Sequence, residues 1–266
     1  MFNGYDFVYD NKSSLSENLK MLNIDGNAFE FVQGVPSKEV DLFHANQSGK
    51  WEISGNRITE PFSFPLQIML HGDGEETYDK INPSLERNRL SRIYHWLFDK
   101  TDFKKLQILM DDMRDLYFMA VFKDVELFED GGVVRGFKAT VLCDTIGAWE
   151  EKNVIKNCTG NLTWKMQVLQ DGIYEVTPLY KIEMRDTSAT ISVNGESIEL
   201  ENITPGSTIT IDTDKLIAKS SEGDELYDSG RFNRCFPRFV YGDNTISISG
   251  NCKVTINYKM IREVGC

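Results

Sequence analysis

Apolar and polar residues alternate along most of this chain at the two-residue period of a β-strand, and in one segment they switch to the period of a helix. Residues 62–70, FSFPLQIML, read as a strand, and Pro65 inside it points to an edge or bulge position because proline has no N–H to give a ladder. Phe2 to Phe7 reads as a short strand, and the stretch from Leu19 to Val40 mixes apolar and turn residues. A polar loop, HGDGEETYDKIN, then ends in Asn82-Pro83. Asparagine caps free backbone N–H groups, and proline at the first helical position loses nothing, so a helix is predicted from there to about Phe98. Leu90, Ile93, Tyr94 and Leu97 form its apolar face. Arg87, Arg89 and Arg92 lie around the rest, as a solvated surface or as a surface for a neighbouring subunit.

Three strands are predicted next. Lys105 to Met110 alternates, Leu116 to Phe128 is apolar on both faces as a doubly buried strand would be, and Val134–Cys143 alternates again after the turn Glu129-Asp130-Gly131-Gly132. One helix among antiparallel strands predicts an α+β domain over residues 1–149. Around Trp149–Asn153 the character changes. Beyond it come strands and turns only: Trp164–Leu169, Tyr180–Met184, Thr190–Val193, Ser197–Leu200, Ser207–Asp212, Asn244–Ser249 and Lys253–Met260. Asn194-Gly195 is a two-residue hairpin signal, since both turn positions tolerate positive φ. Residues 150–266 are therefore expected to form an antiparallel β-sandwich or jelly roll, and the whole chain to be mainly β.

The length of 266 residues exceeds what one core usually serves, which fits two domains of roughly 100–150 residues. The net charge of -12 argues against a protein that gains affinity by neutralising phosphates, so no specific nucleic-acid binding is expected. No apolar stretch approaches the ~20 residues that span a bilayer, so no membrane partner is expected. The opening MFNGYDFVYDNKSS lacks a basic region followed by an apolar run, so no signal peptide is expected and synthesis is assigned to a cytoplasm. Cys143, Cys158, Cys235, Cys252 and Cys266 have neither CxxC spacing nor an even count, and read as free, mostly buried thiols.

Candidate chemistry is sparse. His44, His71 and His95 fall in different elements, with no HExxH, GxSxG, P-loop or strand-linked GxGxxG motif. Carboxylates cluster at Asp73, Glu75 and Glu76, at Asp111, Asp112 and Asp115, and at Asp212 and Asp214. Such pairs can hold Ca²⁺ or hydrolyse a glycoside, but a chain with 41 acidic residues shows them by accident. No catalytic, cofactor or metal residue is therefore assigned, and the chain is expected not to be an enzyme. Trp164 and Tyr180 are the aromatics that could stack on a sugar, although strand aromatics more often belong to a core.

Four phrases in order resemble the distal tail proteins of siphophages and related prophages. They are Phe2-Asn3-Gly4; IYHWLFDKTDFKKLQILMDDMRDLYFMAVF at residues 93–122; GFKATVLCDTIGAW at 136–149; and FPRFVYGDNTISISGNCKVTINYKMIRE at 236–263. The resemblance covers nearly the whole chain and is least clear from Gly26 to Trp51. It implies a virion tail-tip component with no cofactor, whose first domain builds a hexameric ring and whose second is a galectin-like or carbohydrate-binding-module-like sandwich. The implied partners are further copies of the chain, the tail tube protein, the tail-associated hub protein and, in some members, receptor-binding proteins. An acidic ring lumen would let DNA pass by repulsion. The alternative is a carbohydrate-binding protein that recognises the bacterial surface, on the strength of the sandwich alone.

Overall fold

The computed structural model describes residues 6–21, 38–44, 51–58, 61–70, 87–130, 132–169, 175–223, 225–227 and 230–262. The predicted strand before Asp6, the start of the predicted helix and its preceding loop lie outside these residues. The chain divides into two compact units, one running up to Trp149 and the other Glu150–Arg262.

The first unit contains β1 (Phe7–Tyr9), β2 (Lys12–Ser13), β3 (Leu19–Met21), β4 (Lys38–His44), β5 (Trp51–Ile58), β6 (Ser63–Leu70), α1 (Arg87–Leu97), β7 (Lys104–Ile108), β8 (Leu116–Asp130) and β9 (Val133–Cys143). Seven strands are hydrogen-bonded in the order β3-β6-β9-β8-β7-β1-β2, all antiparallel. Alternation sends Phe64, Leu66 and Ile68 of β6, Phe137, Ala139 and Val141 of β9, and Phe118, Ala120 and Phe122 of β8 into one core. Pro65 pairs with Thr140 of β9, while β3 reaches only Ile68 to Leu70, so the missing N–H falls where the other side of β6 has no described strand. Gly136 lets β6 and β9 approach, since a Cβ there would overlap the Ile68 carbonyl oxygen.

The helix covers the apolar face of this sheet. Ile93, Trp96 and Leu97 are buried, with Leu90 and Phe98 packed beside them. Tyr94, expected on the buried face, is 37% exposed and rests against Phe98 instead, ring centres 5.2 Å apart. The larger Trp96 takes the inner position because its indole N–H has a buried acceptor, the Tyr9 carbonyl at 2.9 Å.

The reading of Leu116–Phe128 as buried on both faces holds only for the first part of β8. An extra residue near Asp124, whose φ is 54°, shifts the register between Lys123 and Glu126. Beyond it Leu127 pairs with core-facing Phe137, yet is 39% exposed. The sequence shows apolar residues there but not where the packing beneath them ends. β4 and β5, in the stretch left unresolved by the sequence pattern, pair only with each other among the described residues.

The second unit is entirely strands and turns among its described residues: β10 (Ala148–Val168), β11 (Leu179–Val193), β12 (Glu196–Leu200), β13 (Thr208–Asp212), β14 (Ile217–Ser220) and β15 (Gly242–Arg262). Their order is β14-β13-β11-β15-β10, with β12 also on β11. Segments expected as separate strands are continuous. Tyr180–Met184 and Thr190–Val193 belong to β11, and Asn244–Ser249 and Lys253–Met260 to β15. The predicted strand at Trp164 is the end of β10, and β14 was not predicted at all.

A large bulge joins the two halves of β11. Met184 faces Cys252 and Ala189 faces Gly250, so β11 advances five positions while β15 advances two. An odd excess reverses which side chains point inward. On β11 the buried positions accordingly change from Tyr180, Ile182 and Met184 to Ala189, Ile191 and Val193, while on β15 they stay even from Ile246 to Met260. Gly250 makes the crossing possible. Its φ is +117°, and a Cβ would lie 2.8 Å from the Ser188 carbonyl oxygen and 3.1 Å from the Ala189 Cα. Gly250→Ala is expected to cost about 1–3 kcal/mol, because strain and backbone overlap coincide. Urea unfolding of the full chain checks this, and an unchanged midpoint would refute the role given to Gly250.

Candidate functional site

Among the described residues, the groups that could carry chemistry fall in separate elements. His95 is exposed and sits 3.2 Å from Asp99, one helical turn on. His44 lies in β4, and His71, Asp73, Glu75 and Glu76 lie outside the described residues. Asp111 and Asp112 stand on an exposed 3-10 turn (Asp111–Met113), where Asp111 pairs with Arg114 at 2.6 Å. Asp212 accepts the backbone N–H groups of Asp214 and Lys215 at 3.1 and 3.0 Å, closing the turn before β14. Burial works against its charge, but those N–H groups and the Lys215 ammonium outweigh it and hold its carboxyl below the usual value. This carboxylate is committed to its own turn. No group of three or more potential metal ligands occurs among the described residues.

The described cysteines are free. Cys143, Cys158 and Cys252 are buried and Cys235 is half-buried. Burial pushes the Cys252 thiol up to about 11, and raises Cys143 as well. The Cys158 thiol points at the carbonyls of Gly160 and Ile248, at 3.4 and 3.6 Å. Of the two proposed sugar-stacking aromatics, Tyr180 is fully buried and donates its hydroxyl to the Pro237 carbonyl at 3.2 Å, so it has no face to offer. Its place in the alternating core row of β11 is the signal that it belongs inside. Trp164 is half-buried against the same core, with the Lys156 ammonium 5.5 Å from its ring centre.

The densest polar arrangement is one the sequence did not single out as a unit. Ser13 to Asn18 forms a short 3-10 turn capped by the Ser13 hydroxyl, with Asn18 left-handed at φ 48°. This turn carries Glu17 under the helix, where Lys12, Arg89 and Arg92 meet it. The Lys12 Nζ lies 2.6 Å from one carboxylate oxygen, and Arg89 Nε and Arg92 Nη2 lie 3.8 and 3.7 Å from the other. Arg89 also donates to the Glu17 carbonyl. Burial pulls the Glu17 carboxyl upward, but the hydrogen bond from Lys12 and the charges of Lys12, Arg92 and Arg89 outweigh it, leaving its pKa below the ordinary range. Lys12 in turn lies over the Trp96 ring at 4.8 Å, and the Lys100 Nζ pairs with Asp10 at 2.6 Å. Two ion-pair clusters thus fasten α1 to the β1–β2 corner. Arg89 and Arg92 are sequence-distant from Glu17, and only the fold brings them together.

The class of this fold is given by its likeness to known proteins. Residues 2–145 match a family model described as a phage tail protein N-terminal domain, and residues 148–258 one described as a phage tail C-terminal domain. The chain belongs to this phage tail protein family. Among solved structures it is similar to the Dit protein of phage SPP1, described as a paradigm of the hub adsorption apparatus in phages infecting Gram-positive bacteria. That match has 10% identity, covers 97% of this chain and 99% of the other, and has a TM-score of 0.62. A chain of the phage P2 baseplate in its Ca-activated conformation matches with 13% identity over 97% of this chain and 98% of that one, at a TM-score of 0.52. At these identities the two likenesses establish a shared, mostly β fold. No curated protein matches the chain in sequence.

Glu17→Gln leaves three cations around a neutral amide. It is expected to lower stability at neutral pH by on the order of 1–3 kcal/mol, the cost of depriving partly buried charged donors of their acceptor. Because the folded pKa of Glu17 is depressed, its contribution is present above the unfolded value of about 4.3 and is lost as pH falls through the folded value. Melting curves of both proteins from pH 7 down to pH 3 should therefore converge at the acid end. A gap that stays constant with pH would show that the carboxylate charge is not the source.

Proposed function

We propose that this chain forms a six-fold ring at the distal end of a phage tail, joining the tail tube protein to the tail-associated hub protein, and that it acts by geometry and not as an enzyme. The observation that carries this reading is the match of two phage tail family models along residues 2–145 and 148–258, together with a fold shared end to end with the SPP1 Dit protein. In this reading residues 1–149 are the ring-forming domain and residues 150–266 carry the outward contacts, including receptor-binding proteins.

A ring closes through a head-to-tail interface, in which each copy presents one surface to a different surface of the next. The β4–β5 hairpin supports such an arrangement. Among the described residues its two strands pair only with each other, and a two-stranded hairpin by itself is marginal in water, so a strand of a neighbouring copy can add to its edge. The net charge of -12 suits a passage that DNA must cross without adhering. Localisation in the virion tail tip, after synthesis in the cytoplasm of the host bacterium, belongs to the same proposal.

Light scattering of the purified full chain over a concentration series, followed by negative-stain microscopy, tests it. Six-fold rings, single or stacked back to back, are expected. A particle that stays monomeric at every concentration, and does not bind purified tail tubes, would overturn the ring.

A further inference from the structure

The chain has 41 acidic and 29 basic residues, yet α1 carries Arg87, Arg89, Arg92 and His95 and no aspartate or glutamate. Lys12, Arg89 and Arg92 share the single carboxylate of Glu17, so this cluster keeps an excess of positive charge. The Arg92 side chain is 64% exposed and has donors to spare, since a guanidinium offers five. Arg87 is exposed on the same helix and forms no ion pair among the described residues. Tyr94, also on this helix, is 37% exposed.

The same unit carries a patch of opposite sign. Asp111 and Asp112 lie on one 3-10 turn and Asp115 just beyond it, and the one cation among them, Arg114, pairs with Asp111. Asp112 and Asp115 are exposed and have no ion-pair partner among the described residues. Leu109, 43% exposed, stands at the head of this turn, and Met113 anchors it in the core. Within one copy no ion pair joins the two patches among the described residues. Counted over the described residues, each carries an excess of charge, of complementary sign, beside an exposed apolar or aromatic side chain.

We propose that the cationic face formed by Lys12, Arg87, Arg89 and Arg92 of one copy docks the Asp111–Asp115 turn of a second copy. This rests on the reading of the chain as a ring subunit and assigns a polarity to its interface. Two different patches of opposite charge pair head to tail, as ring closure requires, and like patches repel, which suppresses misoriented pairs. Burying carboxylate–guanidinium pairs between copies adds geometric selectivity, because the planar guanidinium fork accepts a carboxylate in few orientations.

The test is a charge exchange in the full chain, read as the concentration at which rings dissociate. Arg87→Glu with Arg92→Glu should raise that concentration by about tenfold or more, and so should Asp112→Lys with Asp115→Lys. Combining all four changes should restore assembly toward that of the parent protein. Added salt should dissociate parent rings, since the screening length falls from about 10 Å at 0.1 M to about 3 Å at 1 M. Arg92 borders Glu17, so melting temperature is followed in each variant. If the double arginine variant unfolds, Arg87→Glu alone is exchanged against Asp112→Lys. Rings that form equally well in either charge-reversed variant, or a four-fold exchange that fails to restore them, would overturn the docking while leaving the ring reading intact. A parent protein that makes no rings at all, free or on tail tubes, would overturn both.

Discussion

A sheet with one apolar face must cover it, and in the first unit most of that work falls on an eleven-residue helix. α1 reaches the core with Ile93, Trp96 and Leu97, each large side chain contributing roughly 1.5–3 kcal/mol through burial. Its orientation is set by polar contacts at both ends of that strip. The indole of Trp96 hydrogen-bonds to Tyr9, Arg89 and Arg92 meet Glu17, and Lys100 reaches Asp10. Tyr9 completes the arrangement by stacking edge-on against Phe122 at 4.9 Å while its hydroxyl meets the Ala120 carbonyl. β1 and β2, only three and two residues long, supply the anchors for the helix. The same clamp determines which side chains remain outside, and so what the surface can offer to another molecule.

The second unit satisfies the same requirement without a helix. Two of its long paired strands, β11 and β15, run past one another through a bulge of odd excess, which keeps apolar residues inward on both sides of the break. Its edges are treated differently from those of the β4–β5 hairpin. Along β12, Asn233 and Arg231 supply backbone and side-chain partners, including Asn233 to the Ser197 carbonyl at 2.8 Å and Glu201 N–H to the Arg231 carbonyl at 2.9 Å. Along β14, the Tyr227 hydroxyl accepts the Ala218 N–H at 2.5 Å. Blunted edges discourage indiscriminate strand pairing.

Much of this was legible in the chain, for reasons that differ by element. The Asn194-Gly195 turn was readable because positive φ at both positions (52° and 97°) selects those residues. β6 and β9 were readable because one face is buried and the other wet. Leu179–Val193 and Gly242–Arg262 read as broken because the bulge residues Arg185–Ser188 and the turn-like Gly250-Asn251 interrupt alternation without ending pairing. β10 was recognised only near Trp164, since its first half exposes Asn153, Asn157 and Thr159 opposite few strong apolar residues. The Glu17 cluster was unreadable for another reason. Its two arginines lie 72 and 75 positions from Glu17, and charged residues leave no periodic trace.

The cysteines bear on how long such a particle can wait. Thiolate, not thiol, reacts with oxidants and with other cysteines. With Cys252 raised to about 11 and Cys143 also raised, almost none of either is ionised at neutral pH, and the bodies of the strands bar access to both. A phage tail component in a released particle faces aerated surroundings until it meets a cell. Sulfur held this way ages slowly: at Cys143 and Cys252 packing alone resists sulfenic acid formation and adventitious cross-links, a cover that half-buried Cys235 shares less fully.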